Sequence, residues 1–434
     1  MPTEELLDAD SDFDGNDYGV WRTRSAAYST VYYDPEIRYI PWIGLDRDGL
    51  DFADVSATTA PLDPYDVNTR TIDLTVSQPF RSVSVPATRT RRKDITGTIY
   101  LPFYYTTTAA GVPDWDDPHT KVEIRTGGSY VGGAARSDCA VDDNDPLTCT
   151  YAVEIQNFAN WFSYYRSREY TAKSALGRSV AAASNIRMGY AVLNDRNYRE
   201  PIDSLNASYR VGAKKELMDQ VYETQSRGST PLRAALDRAG RHFECVAGDA
   251  FGSTGATNPG NPGCPVLASP EGQCQNNFTL LFSDGDWNGA TPSGGVRQNH
   301  DLDTTPQSPS LFDGGMFEDG INTTLADVAM YYYERDLHSL EDGVPTTLRD
   351  ENWAPAAAFG PASETMHQHM KTYTVGFGLQ GGVSMSDLPA DYTQPFAWGN
   401  PYSFSGTAKT DDMLHAAVNG RGEFLQANNP VLLS

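Results

Sequence analysis

The 434-residue sequence is poor in positive charge and in long apolar runs, and each shortage excludes a class of protein. With 33 Lys and Arg against 57 Asp and Glu, its formal net charge is −24. This charge disfavours nucleic acid as a partner, because the phosphate backbone is also negative. The longest apolar runs, such as 280–282, are far shorter than the ~20 residues that a membrane-spanning helix needs. We therefore expect no nucleic-acid partner and no membrane span.

Signals for export and for catalysis are also missing from the sequence. Residues 1–5 are acidic, and no apolar stretch of the kind found in a signal peptide follows them. The chain contains no G-x-S-x-G, no phosphate-binding P-loop and no H-E-x-x-H, so no residue pattern supports an enzyme. We predict a protein without catalytic activity, with a hydrolase as a distant alternative.

The five cysteines favour an oxidising compartment. Cys139 and Cys149 are separated by nine residues, as are Cys264 and Cys274, and Cys245 is left over. Both pairs lie beside loops rich in Gly, Pro, Asn or Asp, which a disulfide stabilises well. Free thiols remain an alternative, whereas a metal site is disfavoured because no CxxC or HxxxH spacing occurs. We predict the disulfides Cys139–Cys149 and Cys264–Cys274, although Cys245 could replace a member of either pair.

The character of the sequence changes near residue 150. Residues 1–150 are rich in Thr, Asp, Pro and Tyr and contain short alternating runs at 71–76 and 95–100. Alternation bounded by turn residues is typical of strands. We therefore expect 1–150 to be a β-rich, irregular insertion region.

From 151 to 434, segments with helical and strand periodicity alternate. The predicted helices are 158–182, 213–221, a helix capped by Thr230 that begins at Pro231 and continues to 243, 325–337, and a last helix that begins at Asp411-Asp412. The predicted strands are 186–193, 278–283 and 371–379. Such alternation predicts an α/β domain with a parallel sheet flanked by helices. Stretches near 246–275 and 289–320 are expected to be loop insertions rather than core elements.

Two oxygen-bearing side chains are expected to meet at one edge of this sheet. Asp284 follows the strand at 278–283, and Thr230 precedes a helix. Ligands of open parallel sheets bind outside the carboxyl ends of the strands. A hydroxyl and a carboxylate, without His or Cys, suit a hard divalent cation such as Mg²⁺, Mn²⁺ or Ca²⁺. The alternative is that Thr230 only caps its helix and Asp284 only ends its strand.

Several sequence strings resemble a known family. Residues 228–232 (GSTPL) and 281–285 (LFSDG) look like the second and third metal-binding loops of a von Willebrand factor type A domain. Over roughly 28–430 the chain resembles the N-terminal region of type IV pilus tip-associated adhesins of the PilY family. The supporting strings are 31–35, 39–42, 156–162, 164–166, 284–288, 327–333 and 367–370.

The resemblance implies a von Willebrand factor A-like, Rossmann-type fold and a role at the pilus tip. It implies an exported protein, at the pilus tip, on the cell surface or in the periplasm, that supports pilus assembly, surface adhesion and twitching motility. Minor pilins or other pilus-tip components are the implied partners, with a host-surface receptor as a further candidate. A purely structural capping or priming domain, with no metal-dependent binding face, is the alternative.

This sequence departs from the family pattern at the first metal loop. The family's Asp-x-Ser-x-Ser motif has no counterpart here, nor does its C-terminal β-propeller with a calcium site. We therefore expect a fragment that begins inside the domain and whose sheet lacks a central strand. Its adhesion site would keep two of three loops, Thr230 and Asp284, and would bind a divalent cation, Mg²⁺ or Ca²⁺, weakly.

An acidic stretch near the N-terminus is a second cation candidate. Asp10, Asp12 and Asp14 stand at positions 1, 3 and 5 of a calcium loop, with glycine at position 6. Position 12 is Trp21 rather than a bidentate Glu, so a solvated acidic segment is the alternative.

Two further motifs are expected to have no ligand. Residues 376–381 match the G-x-G-x-x-G dinucleotide fingerprint, but no helix follows to receive a pyrophosphate, so a loop is predicted. His367 and His369 are expected to be a surface pair, because no third ligand is near in sequence.

Overall fold

The computed structural model describes residues 20–66, 68–88, 91–108, 117–142, 145–246, 251, 258–284, 286–302, 314–346, 365–378, 381–403 and 407–427. The chain divides into two compact units. The first unit contains Met1–Ser184, Asn206–Gln225 and Asn429–Ser434, and the second contains Asn185–Leu205 and Ser226–Asn428. The architecture is mixed α/β. Of the helices in these described ranges, none is both long and apolar enough to cross a lipid bilayer.

The first unit consists of short antiparallel sheets followed by helices. Its strands are β1 Ala60–Pro61, β2 Thr71–Ile72, β3 Gln78–Thr88, β4 Arg91–Ile99, β5 Phe103–Thr107, β6 His119–Glu123, β7 Ser129–Val131, β8 Ala140–Asp142 and β9 Asp145–Thr150. They pair as β1–β2, β3–β4, β5–β6 and β7–β9–β8. The helices are the 3₁₀ helix Val20–Arg24, α1 Tyr151–Tyr164, α2 Arg168–Ala182 and α3 Gly212–Glu223.

The single helix predicted at 158–182 is wrong, because α1 and α2 are separate helices. Helix α1 ends at Tyr164, and the hydroxyl of Ser167 accepts a hydrogen bond from the Tyr170 backbone N–H at 3.2 Å. A serine that caps a new helix gives its backbone groups a local partner, which favours a break over continuation. The apolar periodicity runs through this break and therefore conceals it.

Amide side chains of α1 bind an extended segment of the same unit. The Asn157 Oδ1 atom accepts from the Tyr39 backbone N–H at 2.7 Å, and its Nδ2 donates to the Ile37 carbonyl at 2.8 Å. Asn160 Nδ2 donates to the Tyr39 carbonyl at 2.9 Å. These bonds satisfy backbone groups that in a sheet would pair with a strand. They also place α1 in the same compact unit as the N-terminal region. The division into compact units therefore does not fall at residue 150, and the domain boundary there stays a prediction.

A buried charge pair lies beneath this segment. The Tyr33 hydroxyl donates to Glu154 Oε1 at 2.7 Å, and Arg136 Nη1 donates to Glu154 Oε2 at 2.9 Å. The side chains of Arg136 and Glu154 are fully buried. Burial raises the pKa of the Glu154 carboxyl although the Arg136 guanidinium opposes this shift. Loss of Arg136 would leave the buried Glu154 carboxyl without its cation, whereas Arg136 also pairs with Asp138 at 3.0 Å.

The second unit contains the parallel sheet. Its strands are β10 Arg187–Ala191, β11 Tyr198–Ser204, β12 Asn277–Ser283, β13 Val344–Pro345, β14 Thr365–Met366, β15 Met370–Phe377 and β16 Arg421–Ala427. Its α-helices are α4 Leu232–Phe243, α5 Leu325–Glu334 and α6 Ala408–Asn419, and its 3₁₀ helices are Glu271–Cys274, Gly294–Val296, Gly315–Phe317 and Met385–Asp387. The order β12–β15–β16 is parallel throughout. β13 pairs with β14 in a separate antiparallel ladder.

The strand predicted at 186–193 is present but does not belong to the parallel sheet. β10 pairs antiparallel with β11, and all of its side chains are half-buried. Only six residues separate the two strands, from Val192 to Asn197, and a parallel crossover needs about a dozen or more. The short connection therefore forces a hairpin.

The core of the second unit includes residues from the predicted loop insertions. Leu281 of β12, Val328 of α5 and Met413 of α6 pack together in one cluster, which also contains Val296. Phe317 belongs to a neighbouring cluster. The described parts of 246–275 and 289–320 form turns and 3₁₀ helices, and they contribute these buried side chains to the core.

One disulfide differs from the predicted pairing. Cys139 and Cys149 form a disulfide in the first unit. In the second unit Cys264 pairs with Cys245 rather than with Cys274, which is an exposed free cysteine. Cys245 lies just beyond the end of α4 in a buried position, whereas Cys274 ends a surface 3₁₀ helix. The equal spacing of the two sequence pairs was therefore misleading.

We expect Asn157→Ala to lower the free energy of unfolding by about 3 kcal/mol, because it leaves the Tyr39 N–H and the Ile37 carbonyl without their partner. Urea denaturation followed by fluorescence measures this loss. Asn68→Ala, at an exposed position of the same unit, is the matched control and should change stability by less than about 0.5 kcal/mol. Equal effects of both substitutions would contradict the role of the α1 amides.

Candidate functional site

The loops that carry Thr230 and Asp284 are hydrogen-bonded to each other. The Thr230 backbone N–H donates to Asn288 Oδ1 at 3.1 Å, and the Asn288 backbone N–H donates to the Thr230 carbonyl at 2.9 Å. Asp284 directly follows β12 and is exposed, and Thr230 is half-buried. The two loops therefore meet at the carboxyl end of β12, where ligands of parallel sheets bind.

Glycine is required in the Thr230 loop. Gly228 has a φ of +83°, and a Cβ atom there would lie 2.4 Å from Asn194 Nδ2. Asn194 Nδ2 donates to the Ser229 carbonyl at 3.2 Å, so it holds this loop in place. A side chain at 228 would both strain the backbone and displace Asn194.

Thr230 does not cap helix α4. The helix begins at Leu232, Pro231 occupies the cap position, and no side-chain cap bond is made there. The Thr230 carbonyl instead accepts from the Leu232 N–H at 2.9 Å. Helix capping therefore does not account for the threonine, and its hydroxyl is on the loop that contacts the Asp284 segment.

A cleft of about 280 Å³ lies beside these loops. Its lining includes Asp286, Arg233, Trp287, Tyr402 and Lys409. The Trp287 ring lies 4.1 Å from the Arg233 guanidinium carbon and 5.2 Å from Lys409 Nζ. The edge of the Tyr402 ring contacts Trp287 with 5.4 Å between ring centres. The cleft therefore combines two aromatic rings, two cations and the Asp286 carboxylate, and the Trp287 ring attracts both cations.

Sequence reasoning did not identify Arg233 and Lys409. Each is the second residue of its helix, α4 and α6 respectively. The helix macrodipole disfavours a cation at this end. A cation in the first turn of a predicted helix is therefore the sequence signal that could have pointed to each of these two residues.

A buried carboxylate fixes the loop that follows Asp284. Trp287 Nε1 donates to Asp412 Oδ2 at 2.8 Å, and Asp412 Oδ1 accepts from the N–H groups of Leu325 at 3.1 Å and Ala326 at 3.2 Å. Burial raises the pKa of Asp412 to about 7 although these hydrogen bonds oppose the shift. Asp412 thus connects the loop, the start of α5 and helix α6.

The predicted start of the last helix at Asp411-Asp412 is wrong, although Asp411 does lie in the first turn of the helix. Helix α6 begins at Ala408, three residues earlier. Asp411 Oδ1 accepts from the N–H groups of Gly382 at 2.7 Å and Val383 at 3.0 Å. Both carboxylates therefore bind backbone donors of other elements, because these donors have no helical partner of their own.

A second cluster of ionisable groups lies in the same unit, and no sequence motif predicted it. Asp301, Asp319 and His415 each offer one ligand atom, and these atoms lie within 4.8 Å of one another. Burial raises the pKa of Asp301 to about 9, and the nearby carboxylates of Asp327 and Asp319 add to the shift. Burial also raises the pKa of Asp319 to about 6 and lowers that of His415 to about 3.

The remaining candidates have different outcomes. Asp10, Asp12 and Asp14 lie outside the described residues. The prediction that His367 and His369 form a surface pair is wrong for His369, which is buried with its ring against Tyr333.

The chain is similar to proteins named type IV pilus biogenesis factor PilY1 from Pseudomonas aeruginosa. The protein of strain PAK is 28% identical over 325 residues, which cover 69% of this chain and 27% of the relative. The protein of strain UCBPP-PA14 is 27% identical over 298 residues, which cover 63% of this chain and 24% of the relative. The chain spans about a quarter of the length of the curated relatives it matches. No protein-family model and no solved structure matches it.

The substitution Asp412→Asn tests whether the pKa of the buried Asp412 carboxyl is raised. Burial raises the Asp412 pKa from 3.8 to about 7, so folding favours the protonated carboxyl group. The contribution of Asp412 to the free energy of unfolding is therefore fully present below pH ~4 and is lost as the pH rises through ~7. Relative to wild type, the variant should gain about 4 kcal/mol between pH 4 and pH 8, since one pKa unit corresponds to about 1.4 kcal/mol. Urea denaturation at both pH values measures the difference.

The exposed substitution Asp342→Asn serves as the control for this measurement. Its unfolding free energy should follow the wild type at both pH values. Parallel pH profiles of Asp412→Asn and wild type would show that Asp412 is ionised throughout.

Proposed function

We propose, from the premise that the chain is a PilY-family protein, that it acts in type IV pilus biogenesis as a non-enzymatic binding module at the pilus tip. In this role it supports pilus assembly, surface adhesion and twitching motility. The observation that carries the proposal is the contact between the Thr230 and Asp284 loops beside the cationic cleft. The two disulfides support an exported protein at the pilus tip, on the cell surface or in the periplasm.

We infer a von Willebrand factor A-like fold for the second unit. The parallel order β12–β15–β16, with α5 and α6 in the connections between the strands, supports this inference. So does the meeting of the Thr230 and Asp284 loops at the carboxyl end of β12.

The proposed binding mode combines a divalent cation with the cleft. The Thr230 hydroxyl and the Asp284 carboxylate are hard ligands for Mg²⁺ or Ca²⁺. Lys409 and Arg233 lie at the adjoining cleft and attract a carboxylate of the partner. A minor pilin or another pilus-tip component with an exposed acidic side chain is the proposed partner, and a host-surface receptor is a further candidate.

A structural domain that caps or primes the filament without metal is the second candidate. The backbone bonds between Thr230 and Asn288 favour it, because they hold the two loops together without a cation. The two candidates differ in whether binding requires a divalent cation and Asp284.

We expect Asp284→Ala to weaken binding of purified minor pilins at least about tenfold in the presence of Mg²⁺ or Ca²⁺, because it removes a ligand of the cation. Excess EDTA should weaken wild-type binding equally. Biolayer interferometry with immobilised minor pilins measures both effects.

Asp342→Ala removes an exposed carboxylate of the same unit and should bind like wild type. Lys409→Ala should weaken binding whether or not metal is present. Binding that ignores EDTA and Asp284→Ala supports the structural candidate instead.

A further inference from the structure

We propose that Asp301, Asp319 and His415 form a second, buried site that binds a divalent transition-metal ion such as Zn²⁺ or Mn²⁺. The site does not involve Thr230 or Asp284, and the inference does not depend on the proposed function. Asp301 precedes the undescribed part of the loop insertion, Asp319 follows the 3₁₀ helix Gly315–Phe317, and His415 is on α6.

The spacing of the three side chains suits a metal ion. His415 Nδ1 lies 3.8 Å from Asp319 Oδ2, and His415 Nε2 lies 3.7 Å from Asp301 Oδ2. Metal–ligand distances of about 2.0–2.2 Å put neighbouring ligands of one Zn²⁺ ion roughly 3–4 Å apart. One ligand atom from each of the three residues lies within 4.8 Å of the other two, and because only one nitrogen of His415 binds the ion, the Asp301 side chain has to move toward that nitrogen to share it.

The protonation of His415 prepares one ring nitrogen for a metal. Its Nε2 atom lies 2.6 Å from the Phe317 carbonyl oxygen, which can only accept, so Nε2 carries the proton. The Nδ1 lone pair then faces the Asp319 carboxylate across a gap too long for a hydrogen bond. Trp398 stacks on the imidazole at 4.0 Å and holds its orientation. A backbone acceptor on the second nitrogen is the usual arrangement of a metal-binding histidine.

Asn419 provides an independent observation at the same place. Its side chain is fully buried, and Nδ2 donates to Asp301 Oδ2 at 3.3 Å and to the Phe317 carbonyl at 3.3 Å. The Oδ1 atom of this amide has no hydrogen-bond partner. A buried acceptor without a donor is costly. Rotation of the amide by half a turn would bring this oxygen to the place of Nδ2, beside Asp301, where it is a suitable further metal ligand.

The ligand types select the metal. One imidazole nitrogen with two or three oxygen atoms suits Zn²⁺ or Mn²⁺, whereas Ca²⁺ takes six to eight oxygen ligands. A cation would also neutralise carboxylates that the structure buries together. Bound there, it would join the Asp301 and Asp319 segments to helix α6, so its role is to stabilise the insertion.

The test uses the full chain with Cys274→Ser and Asp284→Ala, because the exposed thiol and the cation site proposed at Asp284 could themselves bind the added metal. After EDTA treatment and dialysis, ZnCl₂ and MnCl₂ are titrated by calorimetry, and Tm is measured with and without one equivalent of metal. We expect one ion per chain and a higher Tm. His415→Gln and Asp319→Asn should lower the affinity about tenfold or more and remove the Tm shift.

Two controls keep the test decisive. His338→Gln removes a histidine outside the cluster and should bind like the parent, and His415→Gln keeps an N–H group for the Phe317 carbonyl, which favours folding. If either ligand variant fails to fold, Co²⁺ titration of the parent chain decides by its visible absorption, which should saturate at one equivalent and be displaced by Zn²⁺. No saturable binding in the parent chain, or equal affinity in every folded variant, would overturn the proposal.

Discussion

The arrangement of the second unit depends on one buried carboxylate. Asp412 accepts hydrogen bonds from the Trp287 indole and from two backbone N–H groups at the start of α5. Those N–H groups lie at a helix N-terminus, where no intrahelical acceptor exists and the partial charge is positive. A carboxylate therefore suits the place electrostatically, while its burial opposes ionisation. Asp412 thus connects the loop that follows Asp284 with α5 and α6. The position of this loop is therefore determined by a buried residue of the core.

The first unit uses polar side chains on a helix in a related way. Apart from β3 and β4, its strands have two to six residues, and the extended segment around Tyr39 binds Asn157 and Asn160 rather than a neighbouring strand. Directional bonds to backbone groups determine which part of an irregular segment lies on the helix, which apolar contacts alone do not. In both units, therefore, side chains of helices form hydrogen bonds with backbone groups that in a larger sheet or a longer helix would pair with other backbone groups.

The periodicity of apolar residues along the sequence was enough to predict individual strands and helices. The apolar run before Asp284 and the periodicity of 325–337 gave β12 and α5 within a few residues, since burial of one face is written in neighbouring positions. The meeting of the Thr230 and Asp284 loops also followed from topology, because parallel strands end at one edge. What failed depends on distant partners. Cys245 pairs with Cys264, which is 19 residues away in sequence, and the backbone N–H groups that donate to Asp411 and Asp412 lie outside the helix of these two residues.

The two cations of the cleft lie at helix N-termini, where the helix dipole repels positive charge. Arg233 is in the first turn of α4 and Lys409 in the first turn of α6, so each meets a positive helix end. The Trp287 ring between them offers a negative π-face, and the Thr323 carbonyl accepts from Arg233 at 2.7 Å. These contacts offset the repulsion without removing it. Two cations beside the loops that carry Thr230 and Asp284 are the physical basis for proposing a carboxylate as the group that the partner presents, in a chain whose net charge is −24.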